Sequence, residues 1–330
     1  MTVTAHQPWV EKYRPKNVGE VAYQDDVVNT LKTALETSNL PHLLFYGPPG
    51  TGKTSTALAI AKQLFGPELF KTRVLELNAS DERGINVVRT KIKGFASQAV
   101  GPAAPGYPSP PFKLLILDEA DSMTTDAQSA LRRTMETYSN VTRFCFCCNY
   151  VSRIIEPLAS RCAKFRFKPF GEAVMSERIQ YICGEEQVTM ELGAMATLGK
   201  VSGGDLRKAI TTLQSSVRLG GPVVSSTTIV DVAAVVPDET IIGLLAACTS
   251  SSFERCQKAV KDIIADGWPA QQVLIQLQET VLGDSGLTDL QKAKALQLLA
   301  LADKDLVDGA DESLQLLRVA GGVQSALMAA

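Results

Sequence analysis

Histidine is almost missing from this chain. His6 and His42 are the only two in 330 residues, which all but excludes a catalytic or metal centre built on imidazole. Paired-cysteine spacing is missing as well. The seven cysteines are an odd number and contain no CxxC. Cys145, Cys147 and Cys148 share one strand-like run, whose alternating side chains offer no chelating turn, so buried free thiols are the better reading. No apolar stretch approaches the roughly 18 residues of a membrane span. Met1 to Pro8 lack the charged and apolar regions of a signal peptide. The expectation is therefore a cytosolic or nuclear protein with no membrane partner. A positive net charge is also lacking: the formal value is −2, which taken alone argues against a polyanionic partner. Its distribution argues otherwise. Residues 1–170 hold 21 Lys and Arg against 15 Asp and Glu, whereas residues 171–330 hold 12 against 20. Only the first half is suited to face a polyanion.

What is present is ordinary in bulk and specific in detail. An apolar share of 45% and a charged share of 21% are those of a soluble protein. The length predicts two or three domains of roughly 100–200 residues each. The chain is organised around Leu43–Thr54. A strand-type run, Leu43-Leu44-Phe45-Tyr46, stops at Gly47, and Ser55 to Lys62 reads as helix. Between them lies G-x-x-x-x-G-K-T: Gly47, Pro48, Pro49, Gly50, Thr51, Gly52, Lys53, Thr54. Such a loop turns backbone N–H groups around phosphate oxygens, and the helix that follows points its positive end at the same charge. Lys53 is expected on the β- and γ-phosphates and Thr54 on Mg²⁺.

Upstream, Trp9-Val10-Glu11-Lys12-Tyr13-Arg14-Pro15 reads as an extended entry segment, because Pro15 disfavours helix at Arg14. Its aromatic and basic residues suit two roles equally, packing on the domain or walling a purine. A helix is expected near Asp25–Thr37. Downstream, Gly66-Pro67 breaks the chain, Arg73–Asn78 reads as a strand and Ile85–Ala99 as a helix with basic Arg89, Lys91 and Lys93. Five prolines in Gly101–Pro111 predict an exposed irregular loop. Leu114–Asp121 is a buried strand ending in acids. Open α/β sheets bind ligands at the carboxyl ends of their strands, so Asp118 suits Mg²⁺ and Glu119 suits orienting or deprotonating the attacking water. Asp121 reads as the start of the next helix, Thr125–Tyr138. Thr142–Asn149 is another strand. Asn149 either ends it as a turn former or holds water or γ-phosphate beside Glu119. Phe165–Phe167 is a last short strand. Alternating strands and helices predict a parallel α/β sheet with flanking helices through about Lys168. Beyond Pro169 the strand pattern fades, Ala173–Glu185 and Glu191–Val201 read as helices, Asp205 suits the cap of the helix that begins at Leu206, and only helices are expected from about Val232 onward.

In these residues the chain resembles the small subunits of replication factor C, the eukaryotic sliding-clamp loader, within the AAA+ ATPases. The resemblance covers nearly the whole chain. It rests on seven ordered motifs: Trp9–Pro15, Gly47–Thr54, Leu77–Ile85, Leu117–Asp121, the Asn149 segment, Ser160-Arg161-Cys162, and Gly204-Asp205-Leu206-Arg207. It implies an AAA+ module over 1–168, a helical lid over 169–231 and an all-helical collar for oligomerisation over 232–330. It implies ATP and Mg²⁺ as cofactors. Val10, Arg14 and the stretch near Ala22 would border the adenine and its phosphates, together with Gly47 through Ser55. Asn149 would sense the γ-phosphate and Arg207 would reach it from the lid. Arg161, which by composition alone reads as a surface arginine after a helix, would act in trans on a neighbouring subunit's nucleotide.

The implied partners are the other subunits of a hetero-pentameric ring, the sliding clamp (PCNA) and primer–template DNA, in the nucleus, during replication and repair. Arg83, Arg89 and Lys93 are candidates to track the DNA backbone; a solvated helix face is the competing reading. Two other functions fit parts of the pattern. One is a non-hydrolysing nucleotide-binding scaffold in such a ring, which Glu119 argues against. The other is an AAA+ helicase or remodelling motor, suggested by Asp118-Glu119-Ala120-Asp121 but unsupported by further helicase motifs.

Overall fold

The computed structural model describes residues 7–15, 40–80, 88–103 and 105–328, and places Val88 and Arg89 by their backbone. Ala22, Arg83 and the helix expected near Asp25–Thr37 lie outside the described residues. The chain divides into two compact units, Met1–Ile229 and Val230–Ala330.

The first unit is built on five parallel strands: β1 (Leu43–Tyr46), β2 (Val74–Asn78), β3 (Lys113–Asp118), β4 (Thr142–Cys148) and β5 (Ala163–Arg166), in spatial order β2-β3-β4-β1-β5. The inner strands β1, β3 and β4 are apolar at consecutive positions because both faces of the sheet are covered there, whereas the edge strands β2 and β5 alternate with exposed polar residues. Leu43, Phe45, Leu114, Ile116, Cys145 and Cys147 meet the helix α2 (Lys53–Arg73) through Ala57, Ile60, Ala61 and Leu64. The alternate positions, Leu44, Leu115, Leu117, Phe144 and Phe146, meet Ala127, Leu131 and Met135 on the helix α4 (Thr125–Tyr138). Each fully buried Leu, Ile or Phe among them contributes about 1.5–3 kcal/mol by leaving water.

The expected break at Gly66-Pro67 lies inside α2. Gly66 has φ +63° and ψ 178°, and a Cβ there would stand 2.5 Å from the ring of Tyr107. That contact belongs to a larger one, which corrects the reading of Gly101–Pro111 as simply an exposed loop. The buried Arg73 guanidinium donates to the carbonyls of Gly101 (2.5 Å) and Pro102 (2.7 Å) at one end of the loop. At the other end it donates to those of Ser109 (3.4 Å) and Pro110 (2.8 Å). One side chain thus fastens both ends, and Ser109 N–H donates to Leu64 O at 3.0 Å. Lys113, buried at the start of β3, makes a comparable anchor: its ammonium donates to Phe95 O, Ala96 O and Gln98 O at the end of the short helix α3 (Lys93–Ser97). A π-helical turn, Val88–Ile92, precedes α3, so the single helix expected over Ile85–Ala99 is two shorter pieces over its described residues.

After α5 (Glu156–Ala159) and β5 come α6 (Glu172–Glu186), α7 (Ala194–Ser202) and α8 (Leu206–Gly220). They share a separate core of Ile179, Ile182, Leu198, Ala209, Ile210 and Leu213. Two short strands, β6 (Thr189–Met190) and β7 (Val223–Val224), pair in parallel here; two-residue strands leave no periodic trace in a sequence. Asp205 caps α8, accepting from Lys208 N at 3.0 Å. The entry segment is not extended throughout, since Trp9–Lys12 forms one helical turn, α1, with Pro8 at its N-cap. Trp9, Val10 and Tyr13 pack on the α6–α8 core rather than on the sheet. Trp9 N donates to Gln214 (3.1 Å), Lys12 and the Tyr13 hydroxyl both donate to Glu186 Oε1 (2.6 Å each), and Arg178 donates to Tyr13 O (2.7 Å). Burial and the Glu186 contact push the Tyr13 hydroxyl up to about 12, so it remains a donor.

In the second unit, α9 (Ser226–Ala233), which crosses the division, is followed by α10 (Asp238–Thr249), α11 (Phe253–Ala265), α12 (Ala270–Gly283), α13 (Asp289–Val307) and α14 (Glu312–Met328). Ile241, Val260, Val273, Leu277, Leu299 and Val323 are among the residues of one helical core. Among the described residues no helix is long and apolar enough to cross a membrane.

Candidate nucleotide site

The strand order reverses around β1, which lies between β4 and β5 although its chain successor β2 is at the far edge. That is where an open parallel sheet leaves a crevice at its carboxyl end. Pro49, Gly50, Gly52, Lys53, Thr54 and Ser55 line this crevice after β1; Asp118 and Glu119 enter from β3, and Asn149 from β4. Helix α8 contributes Arg207, and the entry segment contributes Val10 and Arg14. The entry segment packs on the α6–α8 core and also lines the crevice. Gly47, Pro48 and Thr51 form the turn behind the lining. Thr51 is buried, and its hydroxyl donates to Pro48 O at 2.9 Å.

The turn places its polar groups closely. Helix α2 starts at Gly52 without a side-chain cap, so its first N–H groups are oriented for an anion. The Lys53 ammonium donates to Gly47 O (2.8 Å), Pro48 O (2.7 Å) and Asn149 Oδ1 (2.9 Å). Burial pushes its pKa down, against the pull of nearby groups that include Asp118 and Asp121. Thr54 Oγ1 donates to Asp118 Oδ2 at 2.7 Å, while Asp118 Oδ1 accepts from Glu119 N at 3.0 Å. A hydroxyl and a carboxylate oxygen side by side are hard donors suited to Mg²⁺, which takes one or two carboxylates and completes its shell with phosphate and water. The uncapped helix start and the lysine fit a polyphosphate beside it. Cys147 and Cys148 add no anion here. The hydrogen bond with Cys145, and then burial, hold the Cys147 thiol well above its ordinary value, and burial pushes Cys148 up to about 12.

Three lining residues carried no sequence signal: Phe170, Arg178 and Ile210. Leu206 and Ile210 flank Arg207 on α8 at helical spacing, a pattern that reads as core. Arg161 does not line the crevice. It follows α5, and its guanidinium donates to Pro157 O and to Glu136 at 2.6 Å. Lys93 is exposed at the start of α3, and Arg89 lies in the π-helical turn before it.

Comparison with known proteins adds independent findings. The model of the ATPase family associated with various cellular activities matches residues 43–170. The RCF1/5-like AAA+ ATPase lid model matches 177–218, and the replication factor C C-terminal domain model matches 236–321. A Rad17 P-loop domain model matches 2–82. Replication factor C subunit 2 of Oryza sativa is 61% identical over 98% of this chain and 96% of its own length. Subunit 4 of Homo sapiens is 57% identical over 97% and 88%. Subunit 2 of Saccharomyces cerevisiae is 50% identical over 96% and 92%. Among solved structures, the Thermotoga maritima RuvB Holliday junction branch migration motor is similar in fold, with TM-score 0.54 and 17% identity over 80% of this chain and 90% of that one.

Proposed function

The chain belongs to the replication factor C small-subunit family, and from that premise we propose how its site works and what it engages. It is an ATPase subunit of the multi-subunit clamp loader. The reading of its site is carried by one observation: the carboxyl ends of β1, β3 and β4 bring Lys53, the Thr54–Asp118 pair, Glu119 and Asn149 into one crevice. ATP lies with its phosphates in the Gly47–Ser55 turn and its base toward Val10 and Arg14. Mg²⁺, held through Thr54 and Asp118, would neutralise phosphate charge. Lys53 binds the β- and γ-phosphates. Glu119 orients the attacking water and accepts its proton. Asn149 fixes the γ-phosphate, Arg207 approaches it from α8, and Arg161 serves the neighbouring subunit's nucleotide.

These roles separate in one experiment. Glu119→Gln in the assembled complex is expected to keep ATP affinity and to lose single-turnover hydrolysis at this subunit by about 10²-fold or more, a general-base loss. Lys53→Ala is expected to weaken binding itself. Equal losses of affinity in both variants would refute the division of roles. A non-hydrolysing scaffold is the second reading, and retained hydrolysis in the unaltered subunit excludes it.

The wider assignments belong to the same proposal. The chain forms a module at 1–168, a lid at 169–231 and a collar at 232–330. It works in a nuclear hetero-pentamer whose ATP cycle opens the sliding clamp and loads it on primer–template DNA. Arg83, Arg89 and Lys93 contact the DNA backbone, in keeping with the basic surplus of residues 1–170. Phosphate contacts predict affinity that falls steeply with salt and shows little base preference. Their triple alanine variant, normally assembled, is expected to bind primed DNA more weakly with a shallower salt slope; an unchanged slope would remove these residues from the DNA path.

A further inference from the structure

Asp121 stands two residues past Glu119, and the ATPase reading gives it no task. It is not the cap of the following helix: α4 begins at Thr125, and Thr124 caps it by accepting from Ala127 N. Nor does its side chain close the turn in which it sits. That turn, Ala120–Ser122, is closed by Ser122, whose N–H and hydroxyl both donate to Glu119 O at 2.9 and 2.8 Å. The Asp121 carboxylate is directed instead to another strand. Its Oδ2 accepts the backbone N–H of Asn149 at 3.3 Å and that of Tyr150 at 3.1 Å. Two N–H groups converging on one carboxylate oxygen make a charge-assisted clamp, stronger than a neutral pair. It joins the exit of β4 to the turn after β3. Glu119 is held in that turn at φ +51° and ψ 40°, an uncommon conformation for a residue with a side chain. Residues kept in such conformations persist where their surroundings over-determine them.

We propose that Asp121 is a positioning residue for ATP hydrolysis: by clamping the Asn149 and Tyr150 peptides to the Glu119 turn, it fixes the Asn149 side chain relative to the Glu119 carboxylate. Hydrolysis needs both groups in register about the γ-phosphate and its water, and small misplacements of such groups are costly. The inference rests on the reading of Asn149 as the γ-phosphate contact. It assigns Asp121 no contact with nucleotide and no proton transfer.

The test is single-turnover hydrolysis and equilibrium ATP binding at this subunit in the assembled clamp loader, with the other subunits' sites disabled. Asp121→Ala is expected to slow hydrolysis about 10–100-fold while leaving ATP affinity within about threefold, since no nucleotide contact is removed. Asp121→Asn keeps one oxygen able to accept both N–H groups, and is expected to rescue the rate to within about threefold of the unaltered chain. Asn149→Ala is expected to be slow, and adding Asp121→Ala to it should cost nothing more, because a residue acting through another is silent when that other is gone. The proposal is overturned by an unchanged rate in Asp121→Ala, by ATP affinity lost together with rate, by failure of the Asn rescue, or by losses that multiply in the double variant. An unchanged rate in Asn149→Ala overturns the reading of Asn149 and this proposal together; any of the other outcomes, with Asn149→Ala slow, overturns this proposal alone.

Discussion

Gly50 has φ +68°, and a Cβ built on it would stand 1.7 Å from Asp205 Oδ1 and 2.8 Å from Oδ2. Two physical demands therefore fall on one position. An L side chain costs about 1–2 kcal/mol in left-handed backbone, and any side chain must also displace a carboxylate. That carboxylate caps α8, the helix that carries Arg207. Gly50→Ala is thus expected to disturb the phosphate turn and the approach of Arg207 together, lowering ATP affinity about tenfold, which corresponds to about 1.4 kcal/mol. Equilibrium binding of a nucleotide to the full chain checks this, and unimpaired affinity would contradict it. The glycine was readable from the motif, but its second constraint was not, because Asp205 lies 155 positions later in the sequence. Asp121 reads as the start of the next helix for a related reason. Its partners are backbone N–H groups, which carry no residue identity.

Between elements, His42 is a joint. Its Nδ1 accepts Phe144 N–H of β4 at 3.1 Å, its carbonyl accepts Ala163 N of β5 at 2.8 Å, and its ring meets Phe144 edge-on. An accepting ring nitrogen must be unprotonated. Burial first, and then the charge of Arg143, lower its pKa from 6.5 to about 4. A base whose pKa falls on folding takes its proton more readily when unfolded. Its contribution is therefore complete above pH 6.5 and is lost as pH drops toward 4. The linkage amounts to about 2 kcal/mol by pH 5. Urea unfolding of the full chain at pH 7 and pH 5 checks this against His42→Gln, whose pH slope over that interval should be smaller; equal slopes would remove His42 as its source. The elements themselves were largely readable where pattern is dense: Thr125–Tyr138, the Gly66 break and the Asp205 cap are all observed. Readability failed where pattern is short. The Trp9–Lys12 turn was hidden by the prolines on either side, and β6 and β7 have two residues each. The proline-rich loop was recognised as irregular, but Arg73, the side chain that fastens it, looked like the first residue of the following strand, whereas it ends α2.

At the scale of the whole molecule, the role proposed for Arg161 requires a neighbouring subunit. It lies outside the crevice, with its guanidinium held by Glu136 and Pro157 O. Arg161→Ala is expected to leave this subunit's own ATP affinity intact and to reduce hydrolysis at the adjacent subunit. Where such an arginine dominates catalysis its loss costs about 10³–10⁵-fold, and a ring with several working sites would show less overall. Mixing the variant with neighbours whose sites are disabled one at a time assigns the lost turnover; a loss at the variant's own site would contradict the role in trans. The bonds from Lys12 and Tyr13 to Glu186 have a consequence in time. They join residues 174 and 173 positions apart. A chain emerging at about 5–20 residues per second makes its first helical turn wait roughly 10–35 s for that partner. The phosphate turn at Gly47–Thr54 and all five strands of its sheet leave the ribosome within that interval. The part of the crevice translated first is thus among the last to be secured, and a nascent chain halted before Glu186 has the Gly47–Thr54 turn without the bonds that secure the entry segment.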